Sequence, residues 1–142
     1  GEDGPAVSVK RGTDEAGYEL RSEGNLLFLT CWGIFDLPIV QQQQVDLLEA
    51  FKSFGGQPWA MVADLRRHPI QPPPILAKIK ETMAMSKAYN HKAGATVVSH
   101  TLTKMHIRRI AQETHTSEVS FFTDPTEATT WVKKLLAGEI TL

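Results

Sequence analysis

Residues 59–65 form a run that is apolar on both faces of an extended chain. A strand of this kind needs cover on both sides, which is typical of the central strands of an α/β sheet. The run leads into a basic, proline-rich loop at residues 66–74 and then into an amphipathic helix. Because loops at the carboxyl ends of such strands commonly hold ligands or partners, this stretch predicts both an architecture and a place for binding.

The remainder of the chain continues the alternation of strand and helix. Residues 18–23 alternate apolar and polar side chains, and Gly24-Asn25 provides a tight turn into a second strand that is apolar on both faces, 26–33. Asp124-Pro125-Thr126-Glu127 has the pattern of a capping box that starts a final helix. The other predicted strands lie at 95–99 and 119–122, and the other helices at about 38–54 and 101–112.

The resulting order, ββαβαβαβα, predicts an α/β fold. We expect a two-layer sandwich with a mostly parallel sheet of about five strands, an antiparallel N-terminal edge strand and about four helices. The length of 142 residues indicates one domain. Residues 1–17 have no sustained periodicity and are predicted to be a flexible leader, with at most a short extended piece over 7–10, so the domain is placed at 18–142.

Composition narrows the classes of function. Fifteen Lys and Arg against sixteen Asp and Glu give a net charge of -1, and this near balance argues against nucleic-acid binding. No apolar run approaches the roughly 18–20 residues that span a bilayer, so no transmembrane segment is expected. The lone Cys31 cannot form an internal disulfide and fits a reducing compartment, which favours the cytoplasm.

Three segments carry a resemblance to a known family. They are the turn Gly24-Asn25 leading into residues 26–30, the strand end Val62-Ala63-Asp64-Leu65-Arg66, and residues 121–131. Over roughly 18–136 the chain resembles the STAS superfamily, the fold of anti-sigma-factor antagonists, and more narrowly the SpoIIAA-like group of small bacterial proteins. The resemblance implies a signalling or partner-binding module, and some members of the narrower group have been suggested to bind apolar ligands.

The resemblance also implies a phosphorylated serine at the start of the helix after the central strand, which would control partner binding. In this chain Gln71-Pro72-Pro73 occupies that segment. No Ser or Thr lies between Leu65 and Ala77, and the first one is Thr82, inside the predicted helix. A phosphate at the helix start would place negative charge against the positive end of the helix dipole. Since the hydroxyl is missing there, this switch is not expected here.

The candidate binding residues gather at the carboxyl ends of the predicted strands and along the third helix. Arginine forks beside helix N-termini suit an anion or an acidic partner, whereas a solvated loop without a binding role is the alternative. The third helix carries a basic face with scattered apolar residues, which favours a dimer, partner or membrane-surface contact if part of it stays exposed. The candidate residues are Asp64, Arg66, Arg67, His68, His100, Thr101, Lys104 and Arg108.

Signs of catalysis or metal binding are weak. None of the five histidines forms a close ligand pair, and Cys31 lies in the middle of an apolar strand, so neither a metal nor a cysteine nucleophile is predicted. The Gly-x-Ser-x-Gly and Gly-x-x-x-x-Gly-Lys signatures are absent, and no cofactor is predicted. The hypothesis of an enzyme would depend on Asp64, His68 and His100 alone.

The sequence therefore leads to three hypotheses about function. The first is a non-enzymatic regulatory or interaction module that binds a partner protein, or itself as a homodimer, through the loop 66–74. The second is a carrier or sensor of a small apolar or anionic ligand, held between the sheet, this loop and the third helix near Trp59, Met83, Met85 and Met105. The third is a small enzyme of unknown reaction.

Overall fold

Six strands and four α-helices alternate along the chain in a computed structural model that describes residues 6–114 and 119–141. The strands are β1 (Ser8–Gly12), β2 (Gly17–Glu23), β3 (Leu26–Trp32), β4 (Trp59–Arg67), β5 (His91–Val97) and β6 (Val119–Phe122). The α-helices are α1 (Leu37–Ser53), α2 (Pro73–Ser86), α3 (Thr101–Thr114) and α4 (Pro125–Leu136), and a short 3₁₀ turn at Lys87–Tyr89 follows α2.

The strands form one sheet in the order β1-β2-β3-β4-β5-β6. β1, β2 and β3 are antiparallel neighbours, and β3 through β6 pair in parallel. The predicted α/β class, the mostly parallel sheet, the antiparallel N-terminal edge and the four helices are confirmed. β5 begins at His91, earlier than predicted, because Asn90 adopts a left-handed φ of 65° and turns the chain directly from the 3₁₀ turn into the strand.

The sixth strand lies in the stretch that the sequence predicted to be a leader. β1 pairs with β2 from Ser8↔Arg21 to Gly12↔Gly17, so the extended piece expected over residues 7–10 is a full edge strand. The Arg11 side chain secures it by donating to both carboxylate oxygens of Asp46 on α1, at 3.0 and 3.1 Å. The prediction of a flexible leader is therefore corrected over Ser8–Gly12, because these residues are held by main-chain pairing and by an ion pair to a helix.

Helices cover both faces of the central strands. On one face α1 and α2 pack on residues from β2, β3 and β4, and the fully buried Trp59 stacks there on Phe51, Phe54 and His91. On the other face α4 places Ala128 and Val132 against β3, β4 and β5. The packing of helices on the sheet is as predicted, but the layers number three and not two, because α4 covers the face opposite α1 and α2. Helix α3 packs against α2 and β6.

Two helix starts follow the predicted capping residues. The Asp36 carboxylate accepts from the Ile39 amide at 3.0 Å, and the Asp124 carboxylate accepts from the Thr126 amide at 3.1 Å. Pro125 stands at the start of α4, where its missing amide hydrogen costs nothing. Both α1 and α4 therefore begin at the edge of the sheet where the parallel strands end.

Candidate functional site

Asp64 and Arg66 form a closed pair at the carboxyl end of β4. Arg66 donates from Nη2 and Nε to the two carboxylate oxygens at 2.7 and 3.0 Å, and its backbone amide donates to Asp64 Oδ1 at 3.2 Å. Partial burial by itself raises the pKa of Asp64, but the hydrogen bonds from Arg66 outweigh it and hold that pKa below its ordinary value. Each side chain therefore satisfies much of the other's bonding capacity.

Arg67 lies beside this pair with its guanidinium exposed. Across residues 6–114 and 119–141, no ion pair or side-chain hydrogen bond engages it. It borders a surface basin of about 270 Å³ together with Thr30, Cys31, Asp64 and Arg66. Cys31 is only 3% exposed, and burial raises the pKa of its thiol to about 12, so the thiolate needed for nucleophilic chemistry does not form at neutral pH. The side chains that border the basin include two guanidinium groups, of Arg66 and Arg67, and one carboxylate, of Asp64.

His68 turns inward and does not join the exposed arginines. Its ring packs on Phe35 with centroids 4.6 Å apart, and its Nδ1 lies 2.9 Å from the Gly33 carbonyl oxygen. Burial lowers the pKa of His68 to about 4, against a weaker opposing effect of the bond to Gly33. At physiological pH the ring is neutral and ties the loop after β4 to the loop after β3.

The other four predicted residues lie on a different part of the molecule. His100 and Thr101 are exposed at the start of α3. Lys104 and Arg108, one turn apart, place their cationic groups 5.5 and 5.2 Å from the centre of the Phe121 ring on β6. Among the described residues no hydrogen bond or ion pair joins this group to Asp64, Arg66 and Arg67. The structure thus divides the predicted residues between the end of β4 and the edge of the sheet at α3 and β6.

Gln71 is the residue at the β4 end whose role the sequence did not predict. It is 6% exposed, and its Oε1 accepts from the Phe35 amide at 2.7 Å. Its Nε2 donates to the carbonyl oxygens of Pro69, at 2.6 Å, and Gly33, at 3.2 Å. Gly33, whose φ of 74° is in the region that glycine reaches without penalty, also donates from its amide to the Arg67 carbonyl at 2.9 Å.

These bonds fix two loops that carry exposed apolar side chains. Ile34, in the loop after β3, is 57% exposed, and Ile70, in the loop after β4, is 50% exposed. Leu37, the first residue of α1, is 47% exposed beside the first of these loops. With Arg66 and Arg67 they compose what we call the β3/β4 edge surface: Ile34, Leu37, Arg66, Arg67 and Ile70. The signal that could have revealed it in the sequence was Ile70, a large apolar residue within the otherwise basic and proline-rich loop 66–74.

The start of α2 carries no hydroxyl. Pro72 is its N-cap residue and supplies no capping hydrogen bond, and two further prolines follow. Thr82 is buried within the helix, where its hydroxyl donates to the Lys78 carbonyl and accepts from Gln44. The position at which the resemblance implied a phosphorylated serine is therefore filled by residues that fix the loop.

In the portion of the chain described, no three His, Cys, Asp or Glu side chains lie close enough together to hold a metal ion. His115 lies outside that portion. No helix within it combines the length and the apolar character required to cross a bilayer.

The similarity of this protein to known proteins lies in its structure. No family model and no curated protein matches the sequence. The structure is similar to an uncharacterised protein of the DUF3478 family with a SpoIIAA-like fold from Shewanella loihica PV-4, with a TM-score of 0.61 at 16% identity, covering 89% of this chain and 92% of that one.

The chain has a SpoIIAA-like fold.

A second similar structure is an anti-sigma factor antagonist from Mycobacterium paratuberculosis, with a TM-score of 0.52 at 12% identity, covering 91% of this chain and 95% of that one. Both similarities extend over nearly the full length of each protein, which confirms the predicted SpoIIAA-like fold. In this SpoIIAA-like domain, the loop after β4 and the start of α2 form the part of the fold at which the sequence resemblance placed regulation.

Proposed function

We propose that this SpoIIAA-like domain is a non-enzymatic regulatory module that binds a partner protein through the β3/β4 edge surface. The observation that carries the proposal is the combination of exposed Ile34, Leu37 and Ile70 with the unpaired guanidinium of Arg67. They lie where β3 and β4 end, and Gln71 and His68 hold the two loops there in place. The similarity to an anti-sigma factor antagonist agrees with a role in partner binding.

The fixed loops favour binding because little conformational freedom remains to be lost. A loop that is ordered only on association costs affinity, whereas a preorganised loop does not. Gln71 and His68 connect the two loops through the Gly33 carbonyl, so Ile34 and Ile70 are presented by one interconnected segment rather than by two independent ones. This supports a rigid docking surface.

The chemistry of the surface specifies the partner in outline. Apolar side chains need an apolar counterpart, and an exposed arginine fork accepts a carboxylate in two parallel hydrogen bonds. Arg66 already forms an ion pair with Asp64, so Arg67 is the cation of this surface that is available to a partner. The expected partner surface therefore combines aliphatic or aromatic side chains with at least one Asp or Glu.

The start of α2 supports a module whose docking does not depend on phosphorylation there. Gln71 occupies the loop with its whole amide group bonded internally, and residues 66–76 contain no hydroxyl side chain. Regulation of this domain would then act through the availability of its partner or through another site.

Replacing Arg67 and Ile70 together with alanine is expected to reduce capture of the partner from lysate of the source cells about tenfold or more. The reason is that central apolar and arginine residues of an interface each contribute more than about 1 kcal/mol, and 1.4 kcal/mol corresponds to a factor of ten. Quantitative mass spectrometry of proteins retained by the immobilised wild type and variant measures the change.

A matched variant on α3, Leu102→Ala with Arg109→Ala, removes one exposed apolar and one exposed basic side chain elsewhere. We expect it to retain the partner as the wild type does. Identical profiles for the wild type and the Arg67/Ile70 variant, or loss of the partner in the α3 variant alone, contradict the proposal. A dimer of the pure protein that only the Arg67/Ile70 variant converts to a monomer would identify the partner as a second copy of this chain.

A further inference from the structure

A cavity lies on the face of the sheet that α1, α2 and α3 cover. Its volume is about 130 Å³. The strands beneath it carry small residues on this face: Ala63 of β4 pairs with Thr96 of β5, and Gly94 of β5 has no side chain beside Met61. The helices rest on larger residues around this row and leave the space above it unfilled.

Most of the cavity wall is apolar. Leu29, Leu47, Met61, Leu65, Ile79 and Met83 contribute to it from the sheet and from two of the helices. Of the residues that suggested a ligand site in the sequence, Met83 lines this cavity, whereas Trp59, Met85 and Met105 do not. A wall of this kind favours an apolar occupant, as in engineered apolar cavities of about 150 Å³ that bind benzene.

Two polar side chains interrupt that wall. Gln43 and Thr96 each expose only 6% of their surface, and both line the cavity. Gln43 makes one hydrogen bond within the described residues, from Nε2 to the Cys31 sulfur at 3.4 Å, and the Thr96 hydroxyl makes none there. No fully enclosed side-chain nitrogen or oxygen in that part of the chain lacks a partner, so the oxygens of Gln43 and Thr96, which have no partner, retain some accessible surface. A buried polar group facing an apolar cavity is costly unless an occupant bonds to it.

The cavity carries no charge. No Lys, Arg, Asp or Glu stands among the described residues that line it. His68 and His91 line it as well, and burial lowers the pKa of each to about 4, so both rings are neutral at physiological pH. Because the Gly33 carbonyl can only accept, the proton of His68 is on Nδ1 and its Nε2 is an acceptor. A charged ligand would lose its hydration without gaining a counter-charge.

We propose that this cavity binds a small neutral molecule with about six or seven non-hydrogen atoms, an apolar ring or short chain bearing one hydroxyl or amide group that hydrogen-bonds to Gln43 and Thr96. None of the five residues of the β3/β4 edge surface lines the cavity, although His68, which joins the two loops of that surface, does. Of the small-ligand hypotheses drawn from the sequence, it favours an apolar molecule over an anion.

The test uses four probe molecules and the protein labelled with ¹³C at its methionine methyl groups. Benzene and phenol differ by one hydroxyl, and butyramide and butyrate have equal size but differ in charge. We expect phenol to bind about fivefold to tenfold more tightly than benzene, because one neutral hydrogen bond is added. Butyramide should bind measurably and butyrate should not at pH 7. The methyl signals of Met61 and Met83 should shift, while that of Met105, outside the cavity, should not.

Two variants examine the site itself. Thr96→Val keeps the shape of the side chain but removes its hydroxyl, and it should lower the affinity for phenol severalfold while leaving that for benzene unchanged. Ala63→Leu fills the cavity and should abolish binding of every probe. Thr130→Val, an exposed substitution on α4, is the matched control and should change neither affinity.

Three results would overturn the proposal. One is that none of the four probes binds saturably, as expected of a cavity that holds only water. Another is equal affinity for benzene and phenol in the wild type. The third is binding of butyrate as tight as that of butyramide. If Ala63→Leu does not fold, the Thr96→Val comparison still decides whether a hydroxyl group is recognised in the cavity.

Discussion

Replacing Gln71 with alanine is expected to lower the free energy of unfolding by about 2–4 kcal/mol, because one buried donor loses its acceptor and two partly buried carbonyls lose a donor. The Phe35 amide, which donates to Gln71 Oε1 at 2.7 Å, would have no acceptor, and the Gly33 and Pro69 carbonyls would lose a donor. Urea unfolding followed by circular dichroism measures the loss. Hydrogen exchange by NMR should show the Phe35 amide exchanging much faster in the variant.

The control is Gln57→Ala, which removes an exposed glutamine from the loop between α1 and β4. Its effect on stability should stay within about 0.5 kcal/mol, as is usual for surface substitutions. A Gln71→Ala protein as stable as the wild type, with a Phe35 amide that still exchanges slowly, would show that Gln71 does not hold the two loops.

Replacing Asp46 with asparagine is expected to cost about 1.5–3 kcal/mol at pH 7, the range for hydrogen bonds to a charged group. The Asp46 carboxylate is 6% exposed and accepts from Tyr18 at 2.6 Å, from Arg11 and from Gln42 at 3.0 Å. Burial alone raises the pKa of Asp46, but the bonds from Arg11, Tyr18 and Gln42 outweigh it and lower that pKa below the ordinary value.

The sign of the pH dependence follows from that shift. A carboxylate with a lower pKa in the folded than in the unfolded state contributes stability above its unfolded pKa of about 4, and loses it as the pH falls through the folded value. The difference between the wild type and Asp46→Asn should therefore be largest near neutral pH and shrink towards pH 3. Urea titrations between pH 7 and pH 3 measure it.

The exposed Asp14, in the turn between β1 and β2, offers a matched control. Asp14→Asn should leave the pH dependence of the free energy of unfolding close to that of the wild type. Stability curves for wild type and Asp46→Asn that run parallel across this pH range would contradict the role assigned to the Asp46 network, and with it the anchoring of β1 to α1.

The central strands could be predicted from the sequence because their pattern is local. Buried on both faces, β3 and β4 read as continuous apolar runs, and a cap marks the start of α1 and of α4. β1 could not be predicted in the same way. Most of its residues are exposed, and it is held by pairing with β2 and by an ion pair to a residue far along the chain. Long-range contacts of this kind leave no periodic signal.

The same distinction applies to the candidate site. Arg66 and Arg67 follow an apolar strand, so their place at a strand end was predictable. The inward turn of His68 depends on the Gly33 carbonyl, and the burial of Gln71 depends on Phe35, both on another loop. The roles of His68 and Gln71 could therefore be assigned only from the folded structure. The separation of Lys104 and Arg108 from Arg67 likewise depends on where α3 packs relative to β6, which the order of elements alone does not determine.

Docking through the β3/β4 edge surface is tested most directly by hydrogen–deuterium exchange of this protein with and without the partner recovered by affinity capture. Binding there predicts added protection at residues 33–37 and 66–72, with α3 and α4 unchanged. Protection confined to α3 and β6, with no change at residues 33–37 and 66–72, would contradict the account and assign docking to the Lys104 and Arg108 group.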